Sequence, residues 1–310
     1  MPNCGCAGSS QSGGQITSLP EWFRQPVPDQ ESLGRMRSLL KETGLTTVCQ
    51  GAHCPNTGEC WSKGTATFMI LGTKCTRACR FCAVEHGVAE AVSCEEPLLV
   101  AEAVQRLGLK YAVITSVTRD DLADGGAEQF ARTVRAIRSA APQCGVELLV
   151  PDFAGDDVAL GIVMEAGPQV LGHNIETVRR LSSPLRPGAD HDRSLAVLRA
   201  IRSSGHRDIL VKSGFMVGLG EAEDEIILTL QELKEAGCDI VTIGQYLAPS
   251  KGARHFPVAR FVEPKEFGRY RQEGLKMGLR YIASGALVRS SYMAEEGFEG
   301  CCGSRKGPCS

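Results

Sequence analysis

Six cysteines in two triplets constrain this chain more than anything else in it. Cys75, Cys79 and Cys82 lie in GTKCTRACRFCAVEHG with spacing Cys-x3-Cys-x2-Cys, and Cys49, Cys54 and Cys60 lie in VCQGAHCPNTGECW with spacing Cys-x4-Cys-x5-Cys. Three thiolates on so short a loop converge on three corners of one iron–sulfur cube and leave the fourth iron without a protein ligand. An open iron suits chelation of a small molecule better than simple electron carriage. The alternative is a zinc knuckle, which wants a fourth Cys or His, and His86 stands near enough in sequence to serve. Two triplets of different spacing within 34 residues weigh against zinc, because paired zinc sites more naturally repeat two Cys-x2-Cys arms.

The remaining composition narrows the class. Fourteen cysteines in 310 residues, with no export signal at the start, argue for a reducing compartment in which thiols serve metal rather than a secreted disulfide scaffold. The N-terminal MPNCGCAGSSQSGG has no basic start and no apolar core, and no Lys or Arg precedes Arg24, so neither leader nor Arg-rich transit peptide is expected. No apolar run nears the roughly 20 residues a membrane span requires. Net charge is 34 − 36 = −2, which gives no electrostatic case for bulk nucleic-acid binding. The expectation is a cytoplasmic protein with no nucleic-acid or membrane partner.

From Thr67 onward, apolar runs alternate with helical periods. Strands are expected at Thr67–Leu71, Tyr111–Thr115, Val146–Val150, Val170–Asn174, Ile209–Gly214 and Ile240–Gly244. Helices are expected at Glu96–Leu107, Gly126–Ala140, Asp157–Glu165, Asp192–Ser203, Glu223–Ala236 and Pro264–Met277, the last preceding a short run Tyr281–Ser284. An earlier helix runs from Glu31 to Thr43. Six β–α units imply a parallel sheet covered by helices, hence a partial (βα)6 TIM-like barrel with N- and C-terminal extensions; an open flavodoxin-like sheet is the alternative. Divisions are expected at 1–62, an extension carrying Cys49, Cys54 and Cys60, 63–285, the barrel, and 286–310, a C-terminal segment with the RSSY motif and a Cys-containing tail. Cys75–Cys82 falls just after the first strand, on the side where such folds carry their chemistry.

The Cys-x3-Cys-x2-Cys loop is similar to that of radical S-adenosylmethionine (radical SAM) enzymes. Together with WSKGTATFMILGTKCTRACRFCAV, ITSVTRDDLADGGAEQF, GHNIETV, KSGFMVGLGE, TIGQYLAPS and RSSYMAEE, it resembles the lipoyl synthase family over roughly Leu19 to Glu296. The resemblance implies a sulfurtransferase with two [4Fe–4S] clusters and SAM, inserting two sulfur atoms at C6 and C8 of a protein-bound octanoyl chain, with the auxiliary cluster as sulfur donor. It assigns Cys75, Cys79 and Cys82 to the SAM-binding cluster and Cys49, Cys54, Cys60 and Ser291 to the auxiliary one, Ser290 being the rival serine. It further suggests Gly125, Gly126, Asn174, Glu176 and Arg193 as SAM contacts, against ordinary turns, caps and ion pairs. Asp120, Asp121 and Asp124 are expected in the same loop, and Gly218–Gly220 beside the adenine. Implied partners are an octanoylated lipoyl carrier domain or GcvH-like carrier protein, an electron donor such as ferredoxin or flavodoxin, and an iron–sulfur repair protein. Arg289 and Lys212 are candidate surface cations for an acidic carrier.

Other readings are a radical SAM methylthiotransferase, disfavoured by the lack of an RNA-binding segment, and a non-catalytic two-cluster electron carrier. His53, His173 and His191 read as structural histidines. Cys94, Cys144 and Cys238 read as buried or incidental thiols. Cys4, Cys6, Cys301, Cys302 and Cys309 lie outside the family pattern.

Overall fold

The computed structural model describes residues 19–24, 30–51, 54, 56–250, 252 and 254–302; Cys4, Cys6, His53 and Cys309 fall outside the described residues. The chain enters through α1 (Gln30–Thr43), which buries Leu33, Met36, Leu39 and Leu40 at helical spacing. A two-residue strand β1 (Thr46–Thr47) follows, then the short helices α2 (Val48–Gly51) and α3 (Thr57–Ser62). Strand β2 (Thr65–Ile70) is buried at every position, as a strand covered on both faces must be. Two dipeptide strands, β3 (Lys74–Cys75) and β4 (Glu85–His86), bracket the loop that follows.

Regular β–α alternation then takes over. Helix α4 (Glu96–Leu107) starts with Pro97 in its first turn and stops at Gly108, whose φ of 58° is the left-handed stop that glycine tolerates. Strand β5 (Tyr111–Ser116) leads to α5 (Ala127–Ala140), and β6 (Gly145–Leu149) to α6 (Asp157–Glu165), whose start Asp156 caps by accepting from Val158 and Ala159 N–H. Next come β7 (Val170–Gly172), α7 (Arg179–Leu185), α8 (His191–Ser203), β8 (Leu210–Val217), α9 (Glu223–Glu235), β9 (Ile240–Gln245), α10 (Pro264–Lys276), β10 (Tyr281–Gly285) and α11 (Ala294–Cys302).

The strands form one eight-stranded sheet in the order β1-β2-β5-β6-β7-β8-β9-β10. All neighbours are parallel except β1, which runs antiparallel to β2 with Thr46 opposite Met69. The run Tyr281–Ser284 is thus the seventh parallel strand. Among the described residues no ladder joins β1 to β10, so the barrel has a seam.

Strand alternation sorts the core. Ala112, Ile114, Val146, Leu148, Leu171, Val211, Val241 and Ile243 pack under the helices, each fully buried side chain contributing ~1.5–3 kcal/mol if large. The opposite face begins with Tyr111, Val170, Leu210, Ile240 and Tyr281, at the starts of five of the seven parallel strands, and these meet Ala294, Phe298 and Cys301 of α11. Helix α11 therefore floors the barrel. Above it, Lys212 Nζ lies 2.7 Å from Glu147 Oε1, both almost wholly buried, and Tyr111 Oη donates to Glu147 Oε2 at 3.3 Å. This corrects the expectation that Lys212 meets a partner at the surface: its charge is spent inside the lumen. No described helix is long and apolar enough to cross a membrane.

Candidate active site

Every parallel strand delivers its C-terminal end to one rim, and the cluster loop is sewn to that rim by backbone bonds. Leu71 and Gly72, with φ of 70° and 93°, turn the chain out of β2. The Glu96 carboxylate accepts from Leu71 N–H at 3.0 Å, and Arg119 Nη1 donates to Leu71 O at 3.1 Å. Strand β3 pairs with β4, setting Cys75 opposite His86, and Gly87 N–H returns to Cys75 O at 3.0 Å. Arg80 N–H donates to Leu185 O, Phe256 N–H to Arg80 O, and the Arg80 guanidinium stacks over the Phe256 ring at 4.9 Å. His255 reaches Cys82 O through Nε2 at 3.1 Å while Ser250 Oγ holds its Nδ1 at 2.7 Å.

The sulfurs sit in surroundings that suit iron. Arg77 and Thr118 N–H groups point at Cys75 Sγ, at 3.4 and 3.3 Å, the kind of donor that stabilises thiolate. Burial pushes the Cys79 thiol up to about 12, against the pull of Arg186, with Cys82, Glu176 and Cys75 adding to the rise. Burial raises Cys82 as well. Such thiols keep their protons until a metal displaces them. Among the described residues no three of His, Cys, Asp and Glu are placed to hold a single ion; a cube instead asks each thiolate to meet a different iron.

The other residues singled out by sequence gather on the same rim. Gly125 (φ 59°) and Gly126 (φ 91°) enter α5, and a Cβ on Gly126 would come within 2.3 Å of Leu71 Cδ1, so only glycine fits this close approach to the cluster loop. Asp124 caps that turn, accepting from Gly126 and Glu128 N–H at 2.9 Å. Asn174 is buried after β7. Glu176, half-buried, adopts a φ of 65° while its N–H and C=O bond Gly214 O and Met216 N. Burial raises the Glu176 carboxyl, opposed by Arg186 and by a hydrogen bond from Asn174. Backbone strain of this kind, shared by Leu71, Phe153, Ala154, Glu176 and Met293, collects where surroundings over-determine the chain.

Arg193 stands in a network that the sequence did not reveal. Its Nε donates to Asp152 Oδ2 at 2.8 Å and its Nη2 to Gly188 O at 2.7 Å. The other oxygen of Asp152 accepts from Arg77 Nη2 at 2.8 Å, and Arg77 also forks onto Asp120 at 2.8 and 2.7 Å. Asp152 is fully buried, yet these two arginines hold its carboxyl far below the usual range. Arg119 pairs with Asp121. At Gly218, N–H donates to Glu221 at 2.6 Å, and Gln245 and Arg260 leave no room for a side chain. His173 bridges Val150 O and Ser194 Oγ, and His191 bonds Glu232 at 2.9 Å; both are packed structural histidines. Cys144, Cys238 and Cys301 are buried and Cys94 is exposed.

The second triplet forms a separate cavity in the seam. Cys49, Cys54 and Cys60 line it with Asn56, Thr57, Thr65, Thr67, Arg289, Ser291 and Tyr292. Residues that run on from the two edge strands thus meet here. Asn56 Nδ2 donates to Leu287 O at 2.6 Å, and Tyr292 Oη donates to Glu59 Oε2 at 3.1 Å. Arg289 is turned inward, its Nη1 on Val288 O at 2.7 Å, near Cys54, whose charge it favours; it is no surface cation. Burial raises the Cys49 and Cys54 thiols and lifts Cys60 to about 12. Among the described residues the buried Trp61 indole N–H has no hydrogen-bond partner, and it favours the Cys49 thiolate, as Thr67 does. An unpartnered buried donor that favours a neighbouring thiolate fits a metal-bound sulfur, since N–H groups around a site orient such ligands.

Comparison with known proteins agrees with this geometry. Residues 69–233 match the Radical SAM superfamily. A lipoyl synthase of Rubrobacter xylanophilus is 52% identical over 277 residues, covering 89% of this chain and 85% of that protein. One from Pyrobaculum arsenaticum is 51% identical over 292 residues, covering 94% and 98%. Among solved structures, methylornithine synthase aligns with a TM-score of 0.53 at 18% identity, over 83% of each chain. Streptococcus suis SuiB bound to S-adenosylmethionine aligns at 0.56 and 10% identity, over 83% of this chain and 55% of that one. These two share the fold. The chain belongs to the lipoyl synthase family, within the radical SAM superfamily of enzymes that work with SAM and a [4Fe–4S] cluster.

Proposed function

We propose that this chain inserts two sulfur atoms, at C6 and C8, into an octanoyl chain carried by a lysine of a lipoyl carrier domain, and that it holds a second [4Fe–4S] cluster for the purpose. The observation that supports this most is the seam cavity, which gathers three cysteines and Ser291 from segments more than two hundred residues apart. With both clusters and SAM bound, the group held by Cys75, Cys79 and Cys82 would supply radical chemistry able to take hydrogen from an unactivated carbon, and the group held by Cys49, Cys54 and Cys60 would supply sulfide.

The chain's residues bind, orient and shield. Cys75, Cys79 and Cys82 would hold a cluster by three thiolates, which would let it bind SAM. The backbone at Gly125 and Gly126 would approach the amino group, Asn174 and Glu176 would hold ribose or amino-acid atoms, and Arg193, with Nε on Asp152 and Nη2 on Gly188 O, would offer its charge and remaining Nη1 to the carboxylate. Ser291 completes the second ligand set with an oxygen, a harder and poorer iron ligand than thiolate, which suits a cluster that must give up sulfur. The floored lumen keeps water from the radical. The carrier is a lipoyl domain or GcvH-like protein, the electron donor a ferredoxin or flavodoxin, and an iron–sulfur protein restores the spent cluster, all in the cytoplasm.

The test is anaerobic reconstitution followed by SAM, reductant and octanoylated carrier domain. The expected products are 5′-deoxyadenosine and a carrier heavier by two sulfur atoms; absence of the mass gain would overturn the reading. Ser291→Ala should still release 5′-deoxyadenosine while sulfur transfer falls by at least about tenfold, the scale of one lost metal-shell partner. Full sulfur transfer in that variant would remove Ser291 from the ligand set.

A further inference from the structure

Asn174 and Ser290 are 116 residues apart, and Asn174 Nδ2 donates to Ser290 Oγ at 2.6 Å. Asn174 follows β7 and Ser290 follows β10, so the bond crosses the barrel mouth over β8 and β9. Two glycines on those intervening strands make the crossing possible. A Cβ on Gly214 would lie 2.3 Å from Thr242 Oγ1 and 3.1 Å from Asn174 Oδ1, and a Cβ on Gly244 would lie 2.1 Å from Val288 O. The loop that carries Ser290 and Ser291 thus descends into the lumen because Gly244 has no side chain, and Asn174 reaches it because Gly214 has none. Below the loop, Asn56 and Tyr292 tie it to the second triplet. At Ser290 the tie runs the other way, toward the rim that carries Glu176 and the first triplet.

We propose that Ser290 is a positioning residue: its hydrogen bond to Asn174 latches the loop so that the neighbouring Ser291 faces the cavity of Cys49, Cys54 and Cys60. This rests on the reading of that cavity as a cluster site. Consecutive residues on an extended or turning chain point apart, so fixing one side chain on Asn174 fixes the direction of the other. One side-chain bond thereby joins the radical-generating rim to the sulfur-bearing seam.

The test uses the full-length chain with Cys75, Cys79 and Cys82 all replaced by alanine, reconstituted with iron and sulfide so that only the second triplet loads. Iron per chain and the conversion of the four-iron to the three-iron cube under mild oxidation, read by EPR, report how firmly the unique iron is held. Ser290→Ala in this background should convert roughly five- to tenfold faster, the population change that the loss of one hydrogen bond sets. Asn174→Ala should convert as fast as Ser290→Ala, the double variant no faster than either, and Ser290→Thr, which keeps the hydroxyl, at the parental rate. The urea midpoint of the apoprotein should stay put in Ser290→Ala, which separates positioning from folding. If Ser290→Ala and Asn174→Ala convert at the parental rate while Ser291→Ala is fast, the latch is overturned and the cluster reading stands. If the parent chain loads no four-iron cube at all, the cluster reading falls and takes the latch with it.

Discussion

Burial sets the charge of His173. Its ring is fixed between a carbonyl and a hydroxyl, and removal from water pushes its pKa down to about 4, with Arg186 and Arg77 opposing the imidazolium and Asp152 favouring it. Between about pH 4 and about pH 6.5, the ordinary histidine value, the unfolded chain takes up a proton that the folded chain refuses. Stability therefore falls as pH drops through that window, by up to about 1.4 kcal/mol per pH unit for one group. Urea unfolding of the apoprotein at several pH values should show a shallower slope there in His173→Gln; an unchanged slope would remove His173 as the source. At this scale the sequence was partly legible. The two cysteine triplets announce themselves by spacing, but the partners that tune their thiols do not. Nothing in the letters around Asp152 says that it will sit between Arg77 and Arg193, and Trp61 reads as an ordinary core indole until its buried N–H is found without a hydrogen-bond partner.

Among elements, the strands and their helices were readable because each buries a periodic face. Helices Glu96–Leu107 and Asp157–Glu165 appear at their expected bounds, and the others shift by a residue or so. What escaped was short or interrupted. Helices α2 and α3 are built from VCQG and TGECWS, too brief for a period and too rich in glycine. Helix α7 contains Pro184, and α11 lies in AEEGFEGCC, although Ala294, Phe298 and Cys301 stand at i, i+4 and i+7 and were there to be read. The loop after β10 depends on Gly244. Gly244→Ala should force Val288 away, cost about 1–3 kcal/mol as overpacking does, and lower the iron held by the second triplet more than that held by the first. Iron analysis of the singly loaded chain measures this; full loading with parental stability would show that the loop does not need the gap.

For the molecule as a whole, the buried pair Lys212–Glu147 just above α11 is the place where stability and lumen shape meet. Losing one partner strands a charge in the interior, so Lys212→Met should cost about 3–5 kcal/mol, whereas Lys212→Met with Glu147→Leu should recover much of it. Denaturant unfolding of the three proteins decides this, and equal stability of the single variant and the parent would mean that water reaches the floor. The seam has a different consequence. A closed barrel has a rung of hydrogen bonds between its first and last strands, whereas among the described residues β1 and β10 share none. The side of the molecule that holds the second triplet is therefore bridged by side-chain bonds at Asn56 and Tyr292 rather than by a strand ladder, a join that does not fix strand register.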